Sequence, residues 1–200
     1  FLPPLSDAAW QRVFELYRAT PQYLEVNAGM TLPEFRSIFW WEYVHRLWGR
    51  VIGLVFFLPF LWFILRGHIR GLFAWKLLGI FALGGAQGAL GWYMVKSGLV
   101  DVPEVSQYRL AAHLTLAFLI YGLLVWTALS VLLPNPDAIS DTRHRQTRNL
   151  AITALSLVSI TVVSGAFVAG TDAGLIFNTF PLMDGQLVPP GYFDSPTAPF

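Results

Sequence analysis

The sequence predicts an all-α protein, a polytopic membrane helical bundle of which this chain supplies four spanning helices. Three observations carry that prediction. Of the 200 residues, 55% are hydrophobic and only 12% charged, against about 25% charged in an ordinary soluble domain. The charges are gathered into short stretches, leaving four long runs almost free of them. Each run is roughly 20 residues or more, which at ~1.5 Å per residue is enough to cross a ~30 Å hydrocarbon layer. Backbone polar groups in lipid must bond within their own segment, so these runs are helices.

Residues 1–40 read as an outer-side segment with short amphipathic helices. Phe1-Leu2-Pro3-Pro4 lacks the basic start and apolar run of a signal peptide. Ser6 is placed to cap a helix that sets Trp10, Phe14 and Tyr17 on one side. Thr31-Leu32-Pro33-Glu34 fits a capping box opening a second helical stretch, which enters the membrane through Phe39-Trp40-Trp41. Aromatic rings of that kind favour the headgroup zone, where one edge is wet.

Three spans occupy residues 41–135: the first from about His45 to Leu65, the second from about Trp75 to Val95, the third from about Tyr108 to Leu133. Pro134 and Pro136 end the third. Residues 136–149 are expected to form a basic loop holding Arg143, His144, Arg145 and Arg148, and residues 150–200 a fourth span, about Leu150 to Ala169, with an outer loop after it.

Orientation follows from the loops. Arg66–Arg70 and Arg143–Arg148 are basic, whereas Lys96 to Ser106 balances Lys96 against Asp101 and Glu104. The positive-inside rule places the Arg-rich loops in the cytoplasm or its mitochondrial equivalent. Arg36, Arg46, Arg50 and Arg109 then gather near the outer face against that rule, and charges kept in such places usually have a partner.

A formal net charge of +1 gives no reason to expect a nucleic-acid partner. The chain has no cysteine, which removes disulfides, thiolate nucleophiles, iron–sulfur clusters and Cys-ligated zinc. Any metal or cofactor must be held by His, carboxylates or Met. Of the four histidines, His68 and His144 fall in basic loops, where solvation explains them. His45 begins the first span and His113 lies early in the third, and those two spans run in the same direction, so both imidazoles sit at similar depth near the outer face.

Such a pair can take a metal plane between two helices, since bundle cores build sites in this way and His is a standard axial heme ligand. The competing reading has each His bonding a backbone carbonyl or a neighbouring helix. Arg46, Arg50 and Arg109 are candidate partners for heme propionates. Glu42, three residues before His45, shares its helix face and can orient the imidazole or take a proton. Equally, Glu42 can be an interfacial partner of Arg46, four residues on. Gly84-Gly85-Ala86-Gln87-Gly88 lacks the order of a phosphate loop, and Gly84 and Gly88 read as a small-residue face for close helix packing. Gln87, polar within lipid, is expected to bond across helices.

Four ordered blocks carry a family resemblance. Glu42-Tyr43-Val44-His45-Arg46 with Trp48-Gly49-Arg50, Leu90-Gly91-Trp92-Tyr93-Met94-Val95-Lys96-Ser97-Gly98-Leu99, Ser106-Gln107-Tyr108-Arg109-Leu110-Ala111-Ala112-His113-Leu114, and Ser164-Gly165-Ala166-Phe167-Val168-Ala169-Gly170 resemble the heme A synthases. The likeness covers nearly the whole chain. It implies eight helices in two similar four-helix halves, each with a histidine pair near the outer face, and the four spans here as helices two to five. One helix is then expected before Phe1 and three after Phe200. It also implies oxidation of the heme O ring methyl to a formyl in two hydroxylation steps, for terminal oxidase assembly.

By position the resemblance makes His45 and His113 the substrate pair and Glu42 the catalytic acid, with heme b in the second half outside this chain. The chain is similar to the subgroup without a cysteine pair in the first outer loop. Expected partners are the lipid bilayer, heme O, the heme O synthase and oxidase assembly factors, in an arrangement compatible with a homo-oligomer. The expected location is a bacterial inner membrane, ahead of a mitochondrial one. Two rival readings remain at this stage: a bis-His cytochrome relaying electrons from quinol, and a four-helix membrane scaffold whose polar residues are structural.

Overall fold

The computed structural model describes residues 3–98, 105–133, 142–179 and 181–188, and it is all-helical apart from one isolated β-bridge. The helices are α1 Asp7–Arg18, α2 Pro21–Glu25, α3 Leu32–Leu65, α4 Gly71–Gly98, α5 Gln107–Leu132, α6 Thr142–Gly170 and α7 Ala173–Ile176. Four of them, α3 to α6, are long and apolar enough to cross a membrane, and the chain is that of a multi-pass membrane protein. Asp101, Glu104, Pro134 and Pro136 lie outside the described residues.

Local chemistry accounts for the first unit, Phe1–Ala138. The Ser6 hydroxyl accepts the Ala9 N–H at 3.3 Å, which satisfies one orphan donor at the start of α1. Trp10 and Phe14, one turn apart, are buried against Phe35 of α3, with Tyr17, Tyr23, Met30 and Phe39 around them. Trp10 meets Phe39 edge to face at 5.0 Å, an arrangement that the ring quadrupoles favour. Thr20 caps the short α2, accepting the Tyr23 N–H at 3.4 Å. The expected face of α1 is the buried one. What it packs on is the first turns of α3.

The Glu34 carboxylate reaches back to the Thr31 backbone N–H and hydroxyl, each at 2.7 Å. Pro33 stands in the first turn, where no helical N–H is needed. From there α3 runs 34 residues without a break, about 51 Å at ~1.5 Å per residue. That exceeds a ~30 Å hydrocarbon layer by more than three turns. The helical stretch predicted from Thr31 and the span predicted from His45 are therefore one rod, and its first turns are the platform for α1. Pro59 within it lacks the N–H that would donate one turn back.

Helix α4 packs against both α3 and α5, and α3 and α5 do not pack on each other. Phe81 of α4 lies between Phe56 and Phe57 of α3, with ring centroids 5.9 and 5.3 Å away. The expectation that Gly84 and Gly88 mark the close approach does not hold. Among the described residues nothing lies within 4 Å of a Cβ built on either. Among the described residues of α4 the tight approach is at Gly91, farther along the helix, where the His113 ring of α5 stands.

In the second unit, Ile139–Phe200, α6 begins eight residues before the predicted span. Residues 142–149 are thus helical, where a basic loop was expected. Charge marked that stretch as outside lipid, and a charged segment is free to continue a helix into water. Ala166 is buried in this unit, at 2% exposure. After α7, Met183 and Gln186 pair across Asp184-Gly185, whose φ values of 54° and 80° are those of a tight hairpin turn.

Candidate heme site

The predicted site residues lie on two helices of the first unit, α3 and α5. Glu42, His45, Arg46 and Arg50 follow one another along α3, all exposed. His113 is half-buried on α5. His68 caps the far end of α3, its ring 5.9 Å from Phe63, and His144 is exposed on α6.

His113 is held tightly by α4. The Gln87 amide donates to the His113 backbone carbonyl at 3.0 Å, bonding across helices as its lone polar character predicted. One turn on, Gly91 seats the ring: a Cβ there would stand 2.9 Å from His113 Cε1 and 3.6 Å from each ring nitrogen. The Nδ1 atom is buried with no hydrogen-bond partner, as is Gln87 Oε1. A buried polar atom without a partner is costly, and a ligand histidine normally bonds through its second nitrogen.

The carboxylate of Glu42 forms an ion pair with Arg46, one turn along α3. Both side chains are about half exposed, at 50% and 45%. Such a pair is screened by solvent and contributes only ~0–1 kcal/mol, so it is easily exchanged for another partner. Arg50 is exposed and forms no ion pair among the described residues. The Arg109 guanidinium lies over the Tyr93 ring, 5.6 Å from its centroid. Arg36, the fourth arginine of the outer cluster, bonds Asp7 at 2.8 Å and covers Trp10 at 5.0 Å. It belongs to the α1–α3 contact.

Among the described residues no three His, Asp or Glu side chains cluster to hold a bare metal ion. Two imidazoles suit a metal that brings its own equatorial ligands, as a heme does. The residues present fit that group.

The family model described as cytochrome oxidase assembly protein (COX15-CtaA) matches residues 1–198. The chain belongs to that family. It is 55% identical to the heme A synthase of Nitrosospira multiformis over 192 residues, 96% of this chain and 54% of the relative. It is 52% identical to that of Paramagnetospirillum magneticum over 203 residues, 96% and 55% of the two chains. Heme A synthase COX15 of Arabidopsis thaliana is 50% identical over 201 residues, 96% of this chain and 44% of the plant protein. The chain spans about half the length of the curated relatives it matches. No solved structure matches it significantly.

Two contributors were missed in the sequence. Gly91 was read only as part of a motif, and Gln87 was recognised as a cross-helix donor without its partner. Their spacing of four places them on one stripe of α4. That stripe was visible, but the register of α5 against it was not.

Proposed function

We propose that this chain carries the substrate site of a heme A synthase, holding heme O while its ring methyl is oxidised through two hydroxylations to a formyl group. The observation that supports this reading is the seating of the His113 ring against Gly91 with a buried ring nitrogen left without a partner, in a chain of this family. His45 and His113 would hold the heme through its iron. Arg46, Arg50 and Arg109 meet the propionates, where a planar guanidinium matches a carboxylate with two parallel bonds. Heme b occupies a second histidine pair beyond this chain.

Glu42 acts at the ring edge. One turn before His45, its carboxylate would lie beside the bound ring and would take a proton during oxidation of the methyl. Leaving Arg46 costs it little, because the exposed pair is worth ~0–1 kcal/mol. Heme O and its product are the substrate and product, and the heme O synthase and oxidase assembly factors are the partners. The Arg-rich turns face the cytoplasm of a bacterial inner membrane.

The deciding experiment extracts pigment from membranes carrying the protein with Glu42→Gln. Gln keeps the shape and loses the basicity, and such groups contribute ~10²–10⁴-fold. The expected result is bound heme with little heme A, and accumulation of heme O or the half-oxidised alcohol. Normal heme A would return Glu42 to its ion pair with Arg46. Bound heme b alone, with no heme O or heme A in the unsubstituted protein, would favour an electron relay instead.

A further inference from the structure

The Gln87 side chain meets His113, and each of the two residues has a buried polar atom without a partner among the described residues. The Gln87 Nε2–H donates to the His113 carbonyl, while Gln87 Oε1 and His113 Nδ1 have no partner. One is an acceptor. The other carries a proton in the tautomer that leaves Nε2 free. Gly91, one turn away, confines the ring on the α4 side. A pair of complementary orphans on residues already joined by a hydrogen bond is a placed interaction, because burying either alone is penalised.

We propose that Gln87 is a positioning residue for the iron ligand: its Oε1 accepts the His113 Nδ1–H when the imidazole turns Nε2 to the heme, while its Nε2 holds the His113 backbone. The amide thereby sets both the tautomer and the plane of the ligand. A ring nitrogen that donates to a carbonyl makes the other nitrogen a stronger base toward iron, which favours the ferric state and lowers the reduction potential. This rests on the heme-ligand reading of His113.

The test separates the two bonds of one side chain. Gln87→Leu removes both donor and acceptor, while Gln87→Glu keeps a carbonyl-type acceptor for Nδ1–H and loses the amide donor to the backbone. The protein is purified from membranes, and the heme whose spectrum disappears in His113→Ala is titrated potentiometrically. The expected midpoint potential rises in Gln87→Leu and stays at or below that of the unsubstituted protein in Gln87→Glu, with ferric low-spin g values following the same split. If Gln87→Leu loses the heme altogether, retention in Gln87→Glu supports the assignment and equal loss overturns it. Equal shifts in both variants, or none in either, also overturn it, since a purely structural bond treats the two alike. A heme spectrum unchanged in His113→Ala overturns the ligand reading itself.

Discussion

Gly91→Ala isolates the seat of the ligand from the stability of the helix. In an α-helix interior the change from Gly to Ala favours the helix by about 1 kcal/mol, so accumulation in the membrane is expected to hold or rise. The new methyl, however, would stand 2.9 Å from His113 Cε1, where ordinary contact begins at 3.4 Å. The ring must therefore withdraw by about 0.5 Å merely to end the clash, and by about 1 Å to reach relaxed packing. The backbone of His113 cannot follow freely, since Gln87 holds its carbonyl at 3.0 Å. The imidazole has to rotate off its plane instead. A 1 Å misplacement near the reacting centre typically costs ~10²-fold, so heme A yield per protein is expected to fall ~10- to 100-fold. The ferric low-spin signal of the substrate heme should shift with it. The assay compares extracted heme A, the EPR spectrum and the amount of protein in the same membranes. Unchanged heme A and an unchanged spectrum at normal protein level would show that the ring does not need the space at Gly91.

Two further predictions concern charge. Changing Arg46, Arg50 or Arg109 to Lys keeps the cation and loses the planar fork; loss of one charge-assisted bond, about 1.5 kcal/mol, should weaken heme retention about tenfold in at least one variant while protein accumulation holds. Full heme retention in all three Lys variants would remove the propionate role. For topology, Cys placed at Asp101 should react with an impermeant thiol reagent in spheroplasts and Cys at His144 should not, because the positive-inside rule turns Arg-rich stretches inward. The reverse labelling pattern would invert the orientation.

What could be read in advance divides by the range of the interaction. The Ser6 cap, the Trp10–Phe14 face, the Thr31–Glu34 box and the Glu42–Arg46 pair all join residues three or four apart on one helix, and all four are present. The spans follow from hydropathy, which is local too. His45 and His113 are 68 positions apart, and topology and depth alone raise the expectation that they pair. The salt link from Arg36 to Asp7, 29 positions away, was not legible. Nor was the choice of Gly91 over Gly84 or Gly88 as the point of close approach, because it depends on how α5 is rotated and slid along α4. Nothing in a small-residue pattern encodes the partner's register. Gln87 resolves that ambiguity physically. In an apolar helix, an amide must find a polar partner or bear the cost of burial. Among the faces α5 can present, the turn at His113 offers a backbone carbonyl and an unsatisfied ring nitrogen together. The same requirement that keeps polar groups rare in this chain thus selects the register in which the ligand ring meets Gly91.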